Sequence, residues 1–369
     1  MQRLSFEISI VAGDLLETDV DVIVLKHAEG FYGADQVAAS RLSNAGALDL
    51  GQLALDVGEC LLLPSLGAVA ARHVLFVGTR PLIGFRYQEV RVFARQALAH
   101  LSRELPAARR VGFTIHGPGT GLDDVEALES EVAGFFDAAS TRDVPTALQE
   151  IRIVEIVESR VRRLSVALDE LLPLSPSGRA RGGPTRGGPN RRAQTRGAPT
   201  LGSQARDPRI LPDLDQGADE PFLAVTGRPE ERLRSAGYAS ASKPHIFVAM
   251  PFAEEMDDVY YFGIQGPVRE SGFLCERADL EVFSGDIVQW IRSRIETASL
   301  VIAELTGANP NVYLEVGFAW GCGVPTVLLV RDPDELRFDV KGQRCLVYRR
   351  IKDLHDALGK ELVGLSERA

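Results

Sequence analysis

Apolar residues along the chain fall into two trains of short runs, divided by a stretch where apolar patterning is almost absent. In the first train, Leu4 to Val11 and Val20 to Leu25 read as strands, and Cys60 to Leu63 and His73 to Val77 as short buried runs. Tyr87 to Leu101 carries helical periodicity. Val111 to Ile115 predicts another strand, ended by a glycine-rich turn, with Asp123 or Asp124 placed to cap a helix through Ala139. Ile151 to Ile156 and Glu158 to Leu172 complete the train as strand and closing helix. This alternation predicts a sheet with helices on its faces.

The second train opens with His245 to Met250 as a strand, Val259 to Ser271 as a helix and Phe273 to Cys275 as a short strand. Ile287 to Thr297 follows as a helix whose Ile287, Trp290, Ile291 and Ile295 form one apolar stripe. Ser299 to Glu304 is the third strand. Asn309 then takes the N-cap and Pro310 the first position of the next helix. A fourth strand ends at Val330, Arg344 to Tyr348 is the fifth, and a helix closes the chain. Five strands connected this way predict a flavodoxin-like sheet ordered 2-1-3-4-5. The expected architecture is α/β: two three-layer αβα domains, residues 1–172 and 244–369, joined by residues 173–243.

The joining stretch is rich in Gly, Pro, Arg, Ser and Thr and poor in aromatic and β-branched residues. It cannot bury enough surface to offset chain entropy, so a disordered tether is expected. From Pro221 to Lys243 enough pattern returns for one short helix. Between Ser175 and Gln204 every charge is an arginine: Arg179, Arg181, Arg186, Arg191, Arg192 and Arg196. The Arg-Gly pairs among them suit weak nucleic-acid contact, although a solvated tether is the plainer role. Because the whole chain carries a net charge of −10, the folded parts are more acidic still. That argues against general nucleic-acid binding by their surfaces.

Apolar content of 45% and 25% charged residues place the chain among ordinary globular proteins. Cys60, Cys275, Cys322 and Cys345 form no CxxC pair, and with six scattered histidines they make no zinc pattern, so no metal site is expected. No run is long enough to span a bilayer, and the amino terminus has no apolar core of signal length. The expectation is a cytoplasmic protein.

Candidate chemistry concentrates after the third strand of the second train. Between Glu304 and Arg331 the only charged residue is Glu315, set among Val312, Tyr313, Leu314, Val316, Phe318 and Ala319. A carboxylate there is either kept ionised by nearby donors or has its pKa raised by burial. The plainer reading is a helix-start Glu favoured by the macrodipole. Ligands of open α/β sheets bind outside the carboxyl ends of the strands. Those ends carry Met250-Pro251-Phe252, then Arg277 and Asp279 running to Ser284-Gly285-Asp286, then Thr306 to Asn311. Glu315 and Asp286 would converge on one crevice. Asn309 and Asn311 are candidates for sugar hydroxyls, Phe252 for stacking on a base, and Arg277 for a phosphate or an ion pair with Asp279 or Glu281.

The segments MPF, RADLEVFSGDI and VIAELTGANPNVYLEVGFAWG resemble the nucleoside 2-deoxyribosyltransferase-like family, which is related in fold to TIR domains. The resemblance implies that Glu315 is a nucleophile at the sugar anomeric carbon and Asp286 the accompanying acid. It implies cleavage or transfer of an N-glycosidic bond in a nucleoside, nucleotide or NAD-type substrate, without a cofactor, in a homo-oligomer. Cleavage of NAD, as in TIR-like bacterial defence, is one form of this activity. The alternative is a non-catalytic module that senses a nucleotide.

Two motifs of the first train stand where a phosphate ligand would sit: Gly13-Asp14, and Gly117-Pro118-Gly119-Thr120-Gly121 between a strand and a helix start. Pattern and order resemble macro domains, and more distantly the amino-terminal domain of leucine aminopeptidases. That resemblance implies adenine contact by Asp14 and a cradle for the diphosphate of ADP-ribose at Gly117, Gly119 and Gly121. After the second strand, Leu25-Lys26-His27-Ala28 replaces the family's asparagines, so hydrolysis of ADP-ribose linkages is not implied. A glycine turn without a ligand is the alternative.

Overall fold

The computed structural model describes residues 4–28, 33–51, 53–81, 84–117, 121–172, 228–251, 253–277 and 287–366. Its first sheet comprises β1 (Glu7–Ala12), β2 (Val22–His27), β3 (Cys60–Pro64), β4 (His73–Gly78), β5 (Arg110–Thr114) and β6 (Glu150–Glu155). The strand order is β1-β6-β5-β2-β4-β3. Every pairing is parallel except that of β3 with β4 at one edge. Val22 to Leu25 are buried throughout, as the unbroken apolar run of a strand covered on both faces requires.

Helices α1 (Gly33–Asn44), α2 (Tyr87–Glu104), α3 (Asp124–Ser140) and α4 (Glu158–Leu171) cover this sheet. The Asp123 carboxylate caps α3 by accepting from the backbone N–H groups of Val125 and Glu126. Helix α1 has no counterpart in the sequence reading. Its buried positions are mostly small, Ala38, Ala39 and Leu42, so it lacks the broad apolar stripe that marks α2.

A further helix, α5 (Pro229–Ser235), lies in the stretch from Pro221 to Lys243 where one was expected. Its Leu233, with Ala236 just beyond, packs into the core of the first sheet.

The second sheet contains β7 (His245–Ala249), β8 (Leu274–Glu276), β9 (Leu300–Glu304), β10 (Thr326–Val330) and β11 (Cys345–Val347). All of its pairings are parallel and its order is β11-β10-β9-β7-β8, which is 2-1-3-4-5 in chain order. It is flanked by α6 (Glu254–Asp258), α7 (Gly266–Glu270), α8 (Ile287–Glu296), α9 (Pro310–Gly321) and α10 (Ile351–Ser366). The single helix expected from Val259 to Ser271 is instead a π-helical stretch, Val259–Gln265, running into α7. Pro267 has no N–H to give to the turn before it, which favours a change of hydrogen-bond register there. Among the described residues no helix is long and apolar enough to cross a membrane.

The two sheets meet through side chains. Leu274 of β8 joins the core of the first sheet. Gly121 holds a left-handed φ of +85°, and a Cβ placed on it would lie 2.2 Å from the Trp290 ring of α8. Only glycine satisfies both conditions without strain. Gly121→Ala should therefore lower stability by about 1–3 kcal/mol, read as a shift in the urea midpoint. Combining it with Trp290→Ala should cost less than the sum of the two single changes; simple additivity would refute the contact.

Candidate functional site

The carboxyl ends of the second sheet hold the residues singled out from sequence. Met250 is buried at the end of β7 and Pro251 is half-buried beside it. Arg277, directly after β8, is buried with its guanidinium 4.2 Å from the centre of the Tyr260 ring. The Asp257 carboxylate lies 3.4 Å from the same guanidinium, and the Met250 sulfur 3.8 Å from it. Arg277, Met250 and Asp257 are thus brought together, and the expected pairing of Arg277 with Asp279 or Glu281 falls on residues outside the described ones. Phe252, Asp279, Ser284, Gly285 and Asp286 lie outside the described residues.

Helix α9 carries the others. The Asn309 side-chain oxygen accepts from Asn311 N–H at 2.9 Å and caps the helix, while the Asn311 side chain is exposed. Glu315 is half-buried and makes no hydrogen bond or ion pair with any described residue. Burial alone pushes its carboxyl up to about 7. Of the two states open to this residue, donors holding it ionised or burial raising its pKa, the second is the one present.

At the end of β9, Glu304 is a different kind of carboxylate. It has no exposure and accepts from the Thr306 hydroxyl at 2.5 Å and the Tyr348 hydroxyl at 3.0 Å. Burial raises its pKa, against those donors. Its place at the end of an apolar strand resembles ordinary strand termination, so the sequence offered no sign of it.

In the first sheet, Asp14 is engaged locally. Its carboxylate accepts from Leu16 N–H at 2.9 Å and caps a short 3₁₀ turn. Gly117 has a φ of +113° and sits against Leu122, and Gly121 sits against Trp290. Gly119 lies outside the described residues. Beside this loop His116 Nδ1 and Glu131 Oε1 are 3.2 Å apart, both wholly buried. Burial drives the imidazole well down and the carboxyl well up. Among the described residues no cluster of His, Cys, Asp or Glu could hold a metal ion.

The densest polar arrangement lies where the two sheets meet, and no local pattern announced it. Glu276, with no exposure, accepts from Arg86 Nη2 at 2.6 Å, the Tyr87 hydroxyl at 2.9 Å and Arg294 Nε at 2.8 Å. Burial opposes its charge, but the two guanidiniums hold its pKa below the ordinary value. Asp123, also without exposure, accepts from Arg269 and from Cys275 N–H at 3.1 Å. Burial raises its carboxyl against the pull of Arg269. Asp124 accepts from Arg163 and from Gln265 Nε2 at 2.9 Å, and these partners outweigh burial and keep its pKa low. The Tyr87 hydroxyl also accepts from Asp123 N–H at 2.9 Å, tying the two carboxylate centres together.

No family model matches the chain, and no curated protein does. Solved structures do. A Trypanosoma brucei macrodomain in complex with ADP is 20% identical with a TM-score of 0.36, covering 44% of this chain and 69% of that one. An Oceanobacillus iheyensis macrodomain with ADP is 17% identical with a TM-score of 0.33, over 44% of this chain and 90% of that one. The macro domain of ganglioside induced differentiation associated protein 2 is 16% identical with a TM-score of 0.34, over 42% and 81%. Likeness at this level carries no functional argument.

Two outcomes follow from this geometry. Glu276→Ala leaves two guanidiniums buried without their carboxylate and should cost about 3–5 kcal/mol, measured by urea unfolding. Glu315 binds its proton more tightly folded than unfolded, so stability falls as pH rises from the ordinary carboxyl value of 4.5 toward about 7. Glu315→Gln should flatten that decline in melting temperature; an unchanged pH profile would show that the raised pKa is not real.

Proposed function

We propose that the chain cleaves or transfers an N-glycosidic bond of a nucleoside, nucleotide or NAD-type molecule, with Glu315 as the reacting carboxylate. One observation carries this reading. Glu315 is a half-buried carboxylate without a partner among the described residues, on the helix that follows β9 at the carboxyl edge of a parallel sheet. Structural carboxylates of this protein, such as Glu276 and Glu304, are saturated with donors. An unpaired one with a strongly raised pKa, at the place where open α/β sheets bind ligands, has the properties of a working group.

The chemistry follows from the charges. Breaking the bond between a base and its sugar develops positive charge at the anomeric carbon and ring oxygen, and negative charge on the base. With a pKa of about 7, Glu315 loses its proton to water before the bond breaks, and the positive charge developing beside it favours the ionised form. The carboxylate then stabilises the oxocarbenium-like sugar or bonds to it, as in retaining glycosidases. Asp286 is assigned the proton delivered to the leaving base. Asn309, whose side-chain oxygen is used in capping, keeps its amide N–H₂ as a donor for a sugar hydroxyl.

A second reading rests on the contact between Gly121 and Trp290. It joins the glycine loop of the first sheet to α8 of the second, so an ADP-ribose-type ligand at that loop would be felt by the second sheet. In that case the chain is a non-catalytic nucleotide sensor.

The protein incubated with NAD, deoxynucleosides and nucleoside monophosphates should release free base, detected by chromatography. Glu315→Gln should lower that release roughly 10²–10⁴-fold while nucleotide affinity survives. Full activity in the variant would remove Glu315 from the chemistry. Nucleotide binding by the wild type without any base release would favour the sensor.

A further inference from the structure

A cleft of about 510 Å³ opens beside the junction of the two sheets, away from α9. It is bounded by the first turn of α2, the segment from Gly237 to His245, and the end of α8 with Thr297. Its walls present four cationic side chains, Arg80, Arg86, Lys243 and Arg294, and one carboxylate, Glu89. In a chain with a net charge of −10 this concentration of positive charge is against the trend.

The internal pairing does not cancel it. Arg86 and Arg294 share a single carboxylate, and both Glu276 oxygens are already occupied, one by Arg86 and Tyr87 and the other by Arg294. Arg86 Nη1 is buried and has no hydrogen-bond partner among the described residues. Lys243 is held by Glu126, and Arg80 lies 3.6 Å from Glu89 at the mouth. His245 adds no charge: burial and the nearby Arg294 and Arg86 lower its pKa, outweighing the pull of Glu276. The first turn of α2, whose leading N–H groups have no partner within the helix, adds its positive dipole end. Two guanidiniums facing one carboxylate, their side chains still 25% and 16% exposed, leave a donor surplus that an oxyanion satisfies.

The geometry points to a binding site for a phosphorylated small molecule in this cleft, its phosphoryl group held by Arg86 and Arg294. A cleft of this size suits a small organic ligand rather than a bare ion. Planar, forked guanidiniums suit phosphoryl oxygens better than ammonium groups would. The site stands apart from Glu315 and does not depend on the catalytic reading.

Calorimetric titration of the full chain with inorganic phosphate, ribose 5-phosphate and citrate tests it. Ribose 5-phosphate should bind, phosphate more weakly, and citrate least. Arg86→Gln should weaken ribose 5-phosphate at least about tenfold, the worth of one charge-assisted hydrogen bond. Because Arg86 also supports the junction, Ala241→Glu provides a second variant. Ala241 lines the cleft, is exposed and pairs with nothing, so the added carboxylate should abolish binding without altering the melting temperature. Absence of binding by both phosphates at millimolar concentration overturns the proposal, as does binding unchanged in Ala241→Glu. Citrate binding more tightly than ribose 5-phosphate would overturn the phosphoryl assignment.

Discussion

The polar contacts that join one sheet to the other depend on keeping a few carboxylates charged where water does not reach. Glu276 ends an edge strand of the second sheet, yet two of its donors, Arg86 and Tyr87, come from the start of α2 over the first. Asp123 caps a helix of the first sheet and also receives the backbone N–H of Cys275 from the second. A buried charge is tolerable only when its donors are complete. The backbone positions of both sheets are therefore fixed by the requirement that these donors arrive together. Apolar packing supplies most of the adhesion within each sheet, and the carboxylates specify how the sheets face each other.

Against this background two of the places that lack a partner gain meaning. Glu315 has no partner among the described residues, and the Arg86–Arg294 pair has more donors than acceptors. One lacks a cation or N–H, the other lacks an oxyanion.

Much of the architecture was legible because parallel strands read as unbroken apolar runs, and β2, β7, β9 and β10 are all of that kind. The α3 cap at Asp123 and the α9 cap at Asn309 were visible as local chemistry. Glu315 stood out as the single charge in a long apolar stretch. Helix α1 was missed because its buried face is two alanines, one aspartate and a single leucine, and the π-helical turn because hydrogen-bond register leaves no hydrophobic signature. The ionic junction was out of reach for another reason. Arg269 and Asp123 lie 146 positions apart, and nothing local to either marks them as partners.

The contact between Asp123 and Cys275 N–H, with the guanidiniums around it, means that mutual recognition is written into the surfaces of the halves themselves. Two separate polypeptides, one ending after Leu172 and one beginning at Arg228, would carry complementary faces. The second would bring α5 with it, supplying Leu233 and Ala236 to complete the core of the first. The gene could thus be divided, or its halves reordered, with the assembled molecule still specified by fragment complementation.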